Sequence, residues 1–335
     1  MASADSLCIT MPLRTLVTGG AGFIGSHLCE ALIGAGDEVT AFDNLSTGSL
    51  QNVVALKERS GTRFRLEHAD ILDATAIERA VAAADRVFHL AAAVGVRLVM
   101  ERPVSTIVTN MRGTEHVLDA CARHRRRVLV ASSSEVYGKM GAMQDAPLRE
   151  SDDWRLGATT TRRWSYACTK ALDEFLAFAH AKESGLETVV VRLFNTVGQR
   201  QSPHYGMVIP SFVEAARAGR DLLVHGDGSQ TRCFNGVQEA VDAMLRLMDC
   251  KRAIGEVVNV GSDRQIAIKD LAQLVIRACR SASGVRLLPY PQVYGGGFED
   301  MARRTPSLEK LRDLIGAVRI RSVDEIVASM INEPA

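Results

Sequence analysis

The sequence predicts an α/β protein: a doubly wound parallel sheet followed by a smaller α+β region. Three observations carry that prediction. Short β-branched runs alternate with helical stretches through residue 194. The runs are largely apolar, as strands covered by helices on both faces must be. After about residue 195 the texture changes to polar, turn-rich pieces such as GQRQSPHYG and HGDGSQTRCFNG.

Taken in order, strands are expected at 13–18 (LRTLVT), 38–43 (EVTAFD), 63–68 (RFRLEH), 86–91 (RVFHLA), 127–132 (RVLVAS) and 188–194 (TVVVRLF). Helices are expected between them at 23–35, 49–59, 75–83, 104–124 and 165–184, a crossover length that suits βαβ units. Helices at 207–219 and 236–250 follow, then a strand at 256–262 (EVVNVGS) and a helix at 268–280. The last part mixes short strands with helices near 307–315 and 322–332. This divides the chain into a first domain over 12–194, joined by the strand and helix near 236–280. The second region covers 195–335, mainly 195–235 and 281–335. No low-complexity linker separates them, so the two should pack tightly.

A chain of 335 residues is long enough for one large or two intimate domains. A net charge of +1 supplies no global field toward nucleic acid or acidic membranes. The run RHRRR at 123–127 reads as a solvated helix end, where cations suit the dipole. The seven cysteines are scattered with no CxxC spacing, which indicates neither a zinc knuckle nor a disulfide framework. Reduced thiols in a cytoplasmic protein are the economical expectation. No apolar run approaches a membrane span. MASADSLCITM lacks the features of a secretory signal and reads as a short leader, with Met11 a possible second start.

The segment TLVTGGAGFIGSHL, residues 15–28, places Gly19, Gly22 and Gly25 between a strand and a helix. Gly19 permits the tight turn. Gly22 lets backbone N–H groups approach a pyrophosphate. Gly25 lets the helix lie close on the sheet. The helix N-terminus then faces the anion. Asp43 ends the next strand, where an acid accepts both ribose hydroxyls of an adenosine. No arginine follows it in Asn44, Leu45 or Ser46, which favours NAD over NADP. Asp70 and Ile71, after the third strand, are placed to bracket an adenine.

Tyr166 and Lys170, in SYACTK, share a helix face at i, i+4. An ammonium beside a phenol favours the phenolate, so Tyr166 is the expected base for a sugar hydroxyl. Lys170 is also placed to hold a nicotinamide ribose. The fifth strand ends in VASSSEVYG, and open parallel sheets bind ligands beyond such ends. Ser133 there is expected to hydrogen-bond the reacting hydroxyl. Glu135 is a carboxylate placed to move a second proton, and Ser134 reads as a cap or turn residue.

The set GGAGFIG, HLAA, SSSEVYG, YACTK and RLFNTVG resembles the extended short-chain dehydrogenase/reductase family, the nucleotide-sugar epimerases, dehydratases and decarboxylases. The resemblance runs from residue 13 to about 330. It implies a Rossmann-type domain with tightly bound NAD and a C-terminal region holding a nucleoside-diphosphate sugar. The family's Ser/Thr, Tyr and Lys fall on Ser133, Tyr166 and Lys170. Its cofactor contacts fall on Gly19, Gly22, Phe23, Ile24, Gly25, Asp43, Asn44, Asp70, Ile71, Leu90, Ala91, Ala92, Asn110 and Lys170. Its nucleotide-sugar contacts suggest Asn195 and Arg232, with Arg232 gripping diphosphate; Arg303 or Arg304 stands where a late arginine does the same.

Glutamate before VYG and the segment RRWSYAC resemble glucuronate decarboxylases and 4,6-dehydratases. The implied chemistry oxidises the sugar C4–OH to a ketone, after which carbon dioxide or water leaves. An epimerase or a ring-isomerising mutase is the alternative outcome. Two departures lie in the substrate half: Gly236, Val237, Gln238 and Glu239 replace an acidic pair, and Ser307 replaces an aspartate. Relatives pair the helices at 104–124 and 165–184 into a homodimer seam, and Leu172, Phe175, Leu176 and Phe178 give the second of these apolar residues on more than one face. Two other readings compete: a non-catalytic NAD-binding scaffold, and a dehydrogenase that releases its cofactor.

Overall fold

The computed structural model describes residues 11–139, 146–203, 206–294 and 304–332. A parallel seven-stranded sheet forms its centre. In chain order its strands are β1 (Arg14–Thr18), β2 (Glu38–Asp43), β3 (Phe64–His68), β4 (Arg86–His89), β5 (Arg127–Ser133), β6 (Thr188–Leu193) and, much later, β11 (Glu256–Val260). Their spatial order is β3-β2-β1-β4-β5-β6-β11. The order reverses between β1 and β4, where Thr18 lies beside both Phe42 and His89. A crevice opens beyond the carboxyl ends of strands at such a reversal, and the site lies there.

Helices cover both faces because the central strands are apolar on both. One face packs α1 (Phe23–Gly34), α2 (Val54–Ser60) and α8 (Val237–Asp249) on Val17, Ala41, Phe88, Val189 and Val191. The other packs α3 (Ala74–Ala82), α5 (Pro103–His124) and α6 (Trp164–Ser184) on Leu16, Val87, Val128, Val130 and Val190. A short α4 (Val96–Glu101) precedes α5. Burying a Val or Leu from water contributes about 1.5–3 kcal/mol each, so these two layers supply most of the favourable free energy of folding.

A third core joins α7 (Val208–Arg217), α9 (Ile268–Ala278), α11 (Val323–Ile331) and β8 (Leu222–His225) through Phe212, Leu222, Leu271 and Ile326. Short two-stranded pairings tie this region together. β7 (Thr196–Val197) pairs with β10 (Asn235–Gly236), β9 (Thr231–Cys233) with β12 (Gln265–Ala267), and β8 with β13 (Val285–Leu288). Helix α10 (Glu309–Ile315) lies against β11.

The structure differs from the sequence expectation in three places. The helix expected at 49–59 is a 3₁₀ turn, Leu50–Asn52, followed by α2, because only Val53 and Leu56 find the core there. The strand expected at 86–91 ends at His89, where the chain turns into the crevice. The stretch 236–280 divides: α8 and β11 join the main sheet, whereas α9 packs with α7 and α11. The RHRRR run is absorbed locally. Arg123 and His124 pair with Glu78, Arg125 ends α5 in the left-handed region at φ 51°, and Arg127 donates to the Cys250 carbonyl at 2.7 Å.

Candidate active site

The glycine turn joins β1 to α1. Gly19 has φ +71°, and a Cβ there would sit 2.9 Å from the Ala91 nitrogen. A Cβ on Gly25 would sit 2.0 Å from the Gly19 carbonyl oxygen, so only hydrogen lets α1 reach the sheet. Gly22 differs, since only the Gly19 oxygen, at 3.1 Å, lies near its would-be Cβ. Its outer side faces open space. No side chain caps α1, and no acid stands in its first turn. The helix therefore presents unshielded N–H groups and its positive end at the crevice, which is the donor set a pyrophosphate needs. Phe23 and Ile24 lean on the core behind it.

Asp43 ends β2 beside that turn. Its carboxylate accepts from the Ala21 and Leu45 N–H groups at 2.9 and 2.8 Å, which fixes it at the mouth of the crevice with lone pairs to spare. Asn44 donates to Asp70 at 2.9 Å, and Asp70 also accepts from the Leu72 N–H. Ile71 is packed into the core against Gly113 of α5, where a Cβ would meet it at 2.2 Å. Asp70 and Ile71 thus follow β3 side by side, the carboxylate hydrogen-bonded to Asn44 and the isoleucine packed on α5. Leu90, Ala91 and Ala92 line the exit of β4, and Asn110 holds this segment by accepting from the Ala93 N–H at 2.8 Å. The buried polar groups, the uncapped helix and the open glycine fit a dinucleotide.

Tyr166 and Lys170 project from α6 toward the end of β5. The Lys170 ammonium, 3% exposed, donates to the Ala131 carbonyl at 3.0 Å and to Asp173 at 3.1 Å. Burial works against its charge, but Asp173, Tyr166 and Glu174 outweigh that and hold it above the ordinary lysine value. Ser133 shares a hydrogen bond with the Tyr166 phenol. The expectation that Lys170 brings the phenol below its ordinary value needs correction. Burial pushes Tyr166 up, and Lys170 and Ser133 offset that only in part, because Glu135 and Asp173 oppose them. Ser133 also caps the 3₁₀ turn that follows β5, accepting from the Glu135 N–H at 3.2 Å. The cap is therefore Ser133 and not Ser134. Ser134 is buried beside Arg304 at 3.4 Å.

Glu135 sits among arginines. Arg304 forms an ion pair with one carboxylate oxygen, Arg163 lies 3.5 Å from the other, and Arg232 acts from further away. Burial raises the Glu135 carboxyl, yet the arginines overcome it and hold it below the usual carboxylate range. The arginines thus favour the ionised form of Glu135. The Arg304 guanidinium lies between Glu135 and Asn195 Oδ1, the latter at 3.4 Å. Its Nε is buried with no protein partner. Arg303 lies outside the described residues. Asn195 donates to the Cys233 carbonyl at 2.9 Å, and Arg232 to that of Thr231 at 2.8 Å, so both stand at the junction of the two regions.

Sequence reasoning missed Arg163 and Asp173. Both lie on or beside the helix already singled out. Asp173 is seven positions after Tyr166, which a helical wheel places on the same face.

The family model described as "NAD dependent epimerase/dehydratase family" matches residues 15–261. The chain is 41% identical over 305 residues to the UDP-N-acetyl-alpha-D-glucosaminuronate decarboxylase of Bacillus cytotoxicus, covering 91% of this chain and 92% of that one. It is 35% identical over 303 residues to UDP-glucuronic acid decarboxylase 1 of Danio rerio, covering 90% of this chain and 68% of that one. The crystal structure of UDP-glucuronic acid 4-epimerase from Bacillus cereus, in complex with UDP-glucuronic acid and NAD, superposes with a TM-score of 0.84 at 26% identity, covering 96% of this chain and 98% of that one. The match spans the glycine turn, the Tyr166–Lys170 pair and β11 alike: this chain belongs to the NAD-dependent epimerase/dehydratase family.

Proposed function

We propose that the protein is an NAD-dependent decarboxylase of a nucleotide-linked uronic acid, a UDP-glucuronate or its 2-acetamido counterpart. The observation that carries the reading is the charge at Glu135. Three arginines converge on one carboxylate, and Arg304 keeps a buried N–H without a partner. The spare Arg304 donor among these arginines suits a second carboxylate, the one a uronate brings and a neutral hexose lacks. The names of the relatives agree with this.

Gly19, Gly22, Gly25, Asp43 and Lys170 would hold NAD, which supplies a hydride acceptor. Tyr166 takes the C4–OH proton while Ser133 orients that hydroxyl and Lys170 offsets the charge forming on the phenol. The C4 ketone makes the sugar acid a β-keto acid. Its carboxylate then leaves as carbon dioxide, and the electron pair moves into an enolate. C5 takes a proton from water, which restores the C4 ketone, and the hydride removed at the start would return to C4 as Tyr166 gives its proton to the C4 oxygen. Glu135 keeps Arg304 and Arg163 in register for the carboxylate. In a 4,6-dehydration the same ionised Glu135 would take the C5 proton instead.

The purified protein, incubated with UDP-glucuronate, its 2-acetamido analogue and dTDP-glucose, separates these outcomes by product mass. Loss of carbon dioxide from a uronate is expected. Loss of water from the hexose, with both uronates untouched, would overturn the reading.

The reading extends to assembly. Leu172 and Phe175 on α6, with Val104 and Met111 on α5, are apolar and exposed on adjacent helices, and Phe175 meets Trp154 edge-on at 6.2 Å. Two copies of this face would bury it in a homodimer. The six described cysteines are all free, which suits a reducing cytoplasm.

A further inference from the structure

Lysine ammonium has three donors, and in this site two are already spent on protein. Lys170 gives one to the Ala131 carbonyl and one to Asp173, an i, i+3 pair with both side chains buried. Only the third remains for Tyr166 and a bound sugar or ribose. Asp173 itself is 1% exposed and is not free to choose another cation. Its neighbour Glu174 takes the nearby Arg192, at 2.8 Å, and is bonded to Ser132 as well.

Asp173 is held from behind by a directional chain of hydrogen bonds. The Ala91 N–H donates to the Thr18 hydroxyl at 3.2 Å. That hydroxyl in turn donates to His89 Nδ1 at 2.8 Å. His89 Nε2 donates to the Thr114 hydroxyl at 3.0 Å, and Thr114 donates to Asp173. Thr114 has one hydroxyl proton and gives it to Asp173, so it accepts from His89 Nε2–H, and in a neutral His89 the Nδ1 then accepts from Thr18. Burial, with Lys170 nearby, keeps it so by pushing its value down to about 3. The chain crosses β1, β4 and α5 to reach α6. It begins at Ala91, a residue of the crevice wall.

We propose that Asp173 is a positioning residue for the Tyr166–Lys170 pair: it fixes the Lys170 ammonium beneath the phenol and counterbalances part of its field there. The proposal rests on Tyr166 and Lys170 being the reacting pair. The charged and titratable groups around the pair are Tyr166, Lys170, Asp173 and Glu174 on α6, Glu135 after β5 and His89 on β4, with Arg192 of β6 neutralising Glu174. Among them, Asp173 raises both the phenol and the ammonium. Removing its charge should therefore move both in the same direction, downward.

Asp173→Asn and Asp173→Ser each remove the charge and leave an oxygen for Lys170. The readouts are the tyrosinate absorbance of Tyr166, taken as the difference from the same variant carrying Tyr166→Phe, and the pH profile of turnover. The expected result is a Tyr166 midpoint lower by about one pH unit, with both limbs of the profile displaced to acid. The absorbance titration needs no sugar, so it stands if the decarboxylase reading fails. An unshifted midpoint in either folded variant overturns the proposal. Failure of both variants to fold with NAD bound also overturns it, since Asp173 would then be a stability residue.

Discussion

Tyr166 and Glu135 face the same crevice from different elements, and their environments push them apart. The phenol is raised by burial, so it stays a neutral hydroxyl until Lys170 and a bound substrate act on it. The carboxylate is lowered by its arginines and stays ionised. Their removal should therefore arrest different steps. Tyr166→Phe should retain NAD yet lose turnover by about a hundredfold or more, with no reduced cofactor formed when the nucleotide sugar is added. Glu135→Gln keeps Tyr166, Ser133 and Lys170, so reduced cofactor should form and persist while product release slows. Absorbance of the reduced cofactor, followed after mixing, checks both. Equal arrest in the two variants would contradict the division of roles. Glu135 also makes a pH prediction. A carboxyl lowered in the native state contributes stability that is complete above its unfolded value of about 4.3 and is lost as pH falls through the lowered native value. Acid titration of thermal stability should show that loss in the natural protein and not in Glu135→Gln.

Elements repeat the same lesson through backbone geometry. The β1–α1 turn contains glycines that do different work, and the structure separates them. Gly25→Ala drives a methyl to 2.0 Å from the Gly19 oxygen, which undocks α1 from β1 and should cost more than about 2 kcal/mol. Gly22→Ala meets only that oxygen at 3.1 Å and projects otherwise into the crevice, so the fold should survive while NAD is lost on purification. Thermal melting and cofactor content together distinguish the two. Most helices and strands of this part were legible in the sequence, because period and apolar runs report burial directly: α6 begins and ends within a residue of its expected limits. The contacts that give the site its chemistry were not. Arg304 reaches Glu135 across 169 positions, a neighbourhood set by how the last segment folds back on the sheet and by no local pattern. Asp173 is an intermediate case, visible on a helical wheel and silent about its partner Thr114 on another helix.

At the scale of the whole molecule, the crevice is completed by a region with its own core, and few buried charges join the two. Arg321 precedes α11, which belongs to the smaller core. Its guanidinium pairs with Glu239 at 2.6 and 3.0 Å and reaches Gln238, on α8, which belongs to the main sheet. Glu239 is 6% exposed, and Gly236 leaves the room that both side chains need: a Cβ there would sit 2.0 Å from the Glu239 oxygen. These are the positions where the sequence departs from the family's acidic pair. Through Arg321, Gln238 and Glu239 tie the two regions together. Gly236 also belongs to β10, paired with β7 directly after Asn195, so the tie ends two residues from a wall of the substrate crevice. Arg321→Ala leaves a buried carboxylate without its cation, at a cost of about 3 kcal/mol. NAD lies wholly against the main sheet in this account, so its retention should be unchanged. The KM for the nucleotide sugar should rise, because the second wall is no longer held against the first. Turnover at saturating sugar should fall less than KM rises, since Tyr166, Lys170 and Ser133 stay in place. Steady-state kinetics beside a cofactor assay measures this split, and a variant that loses NAD and sugar binding together would show that the two regions are a single cooperative body.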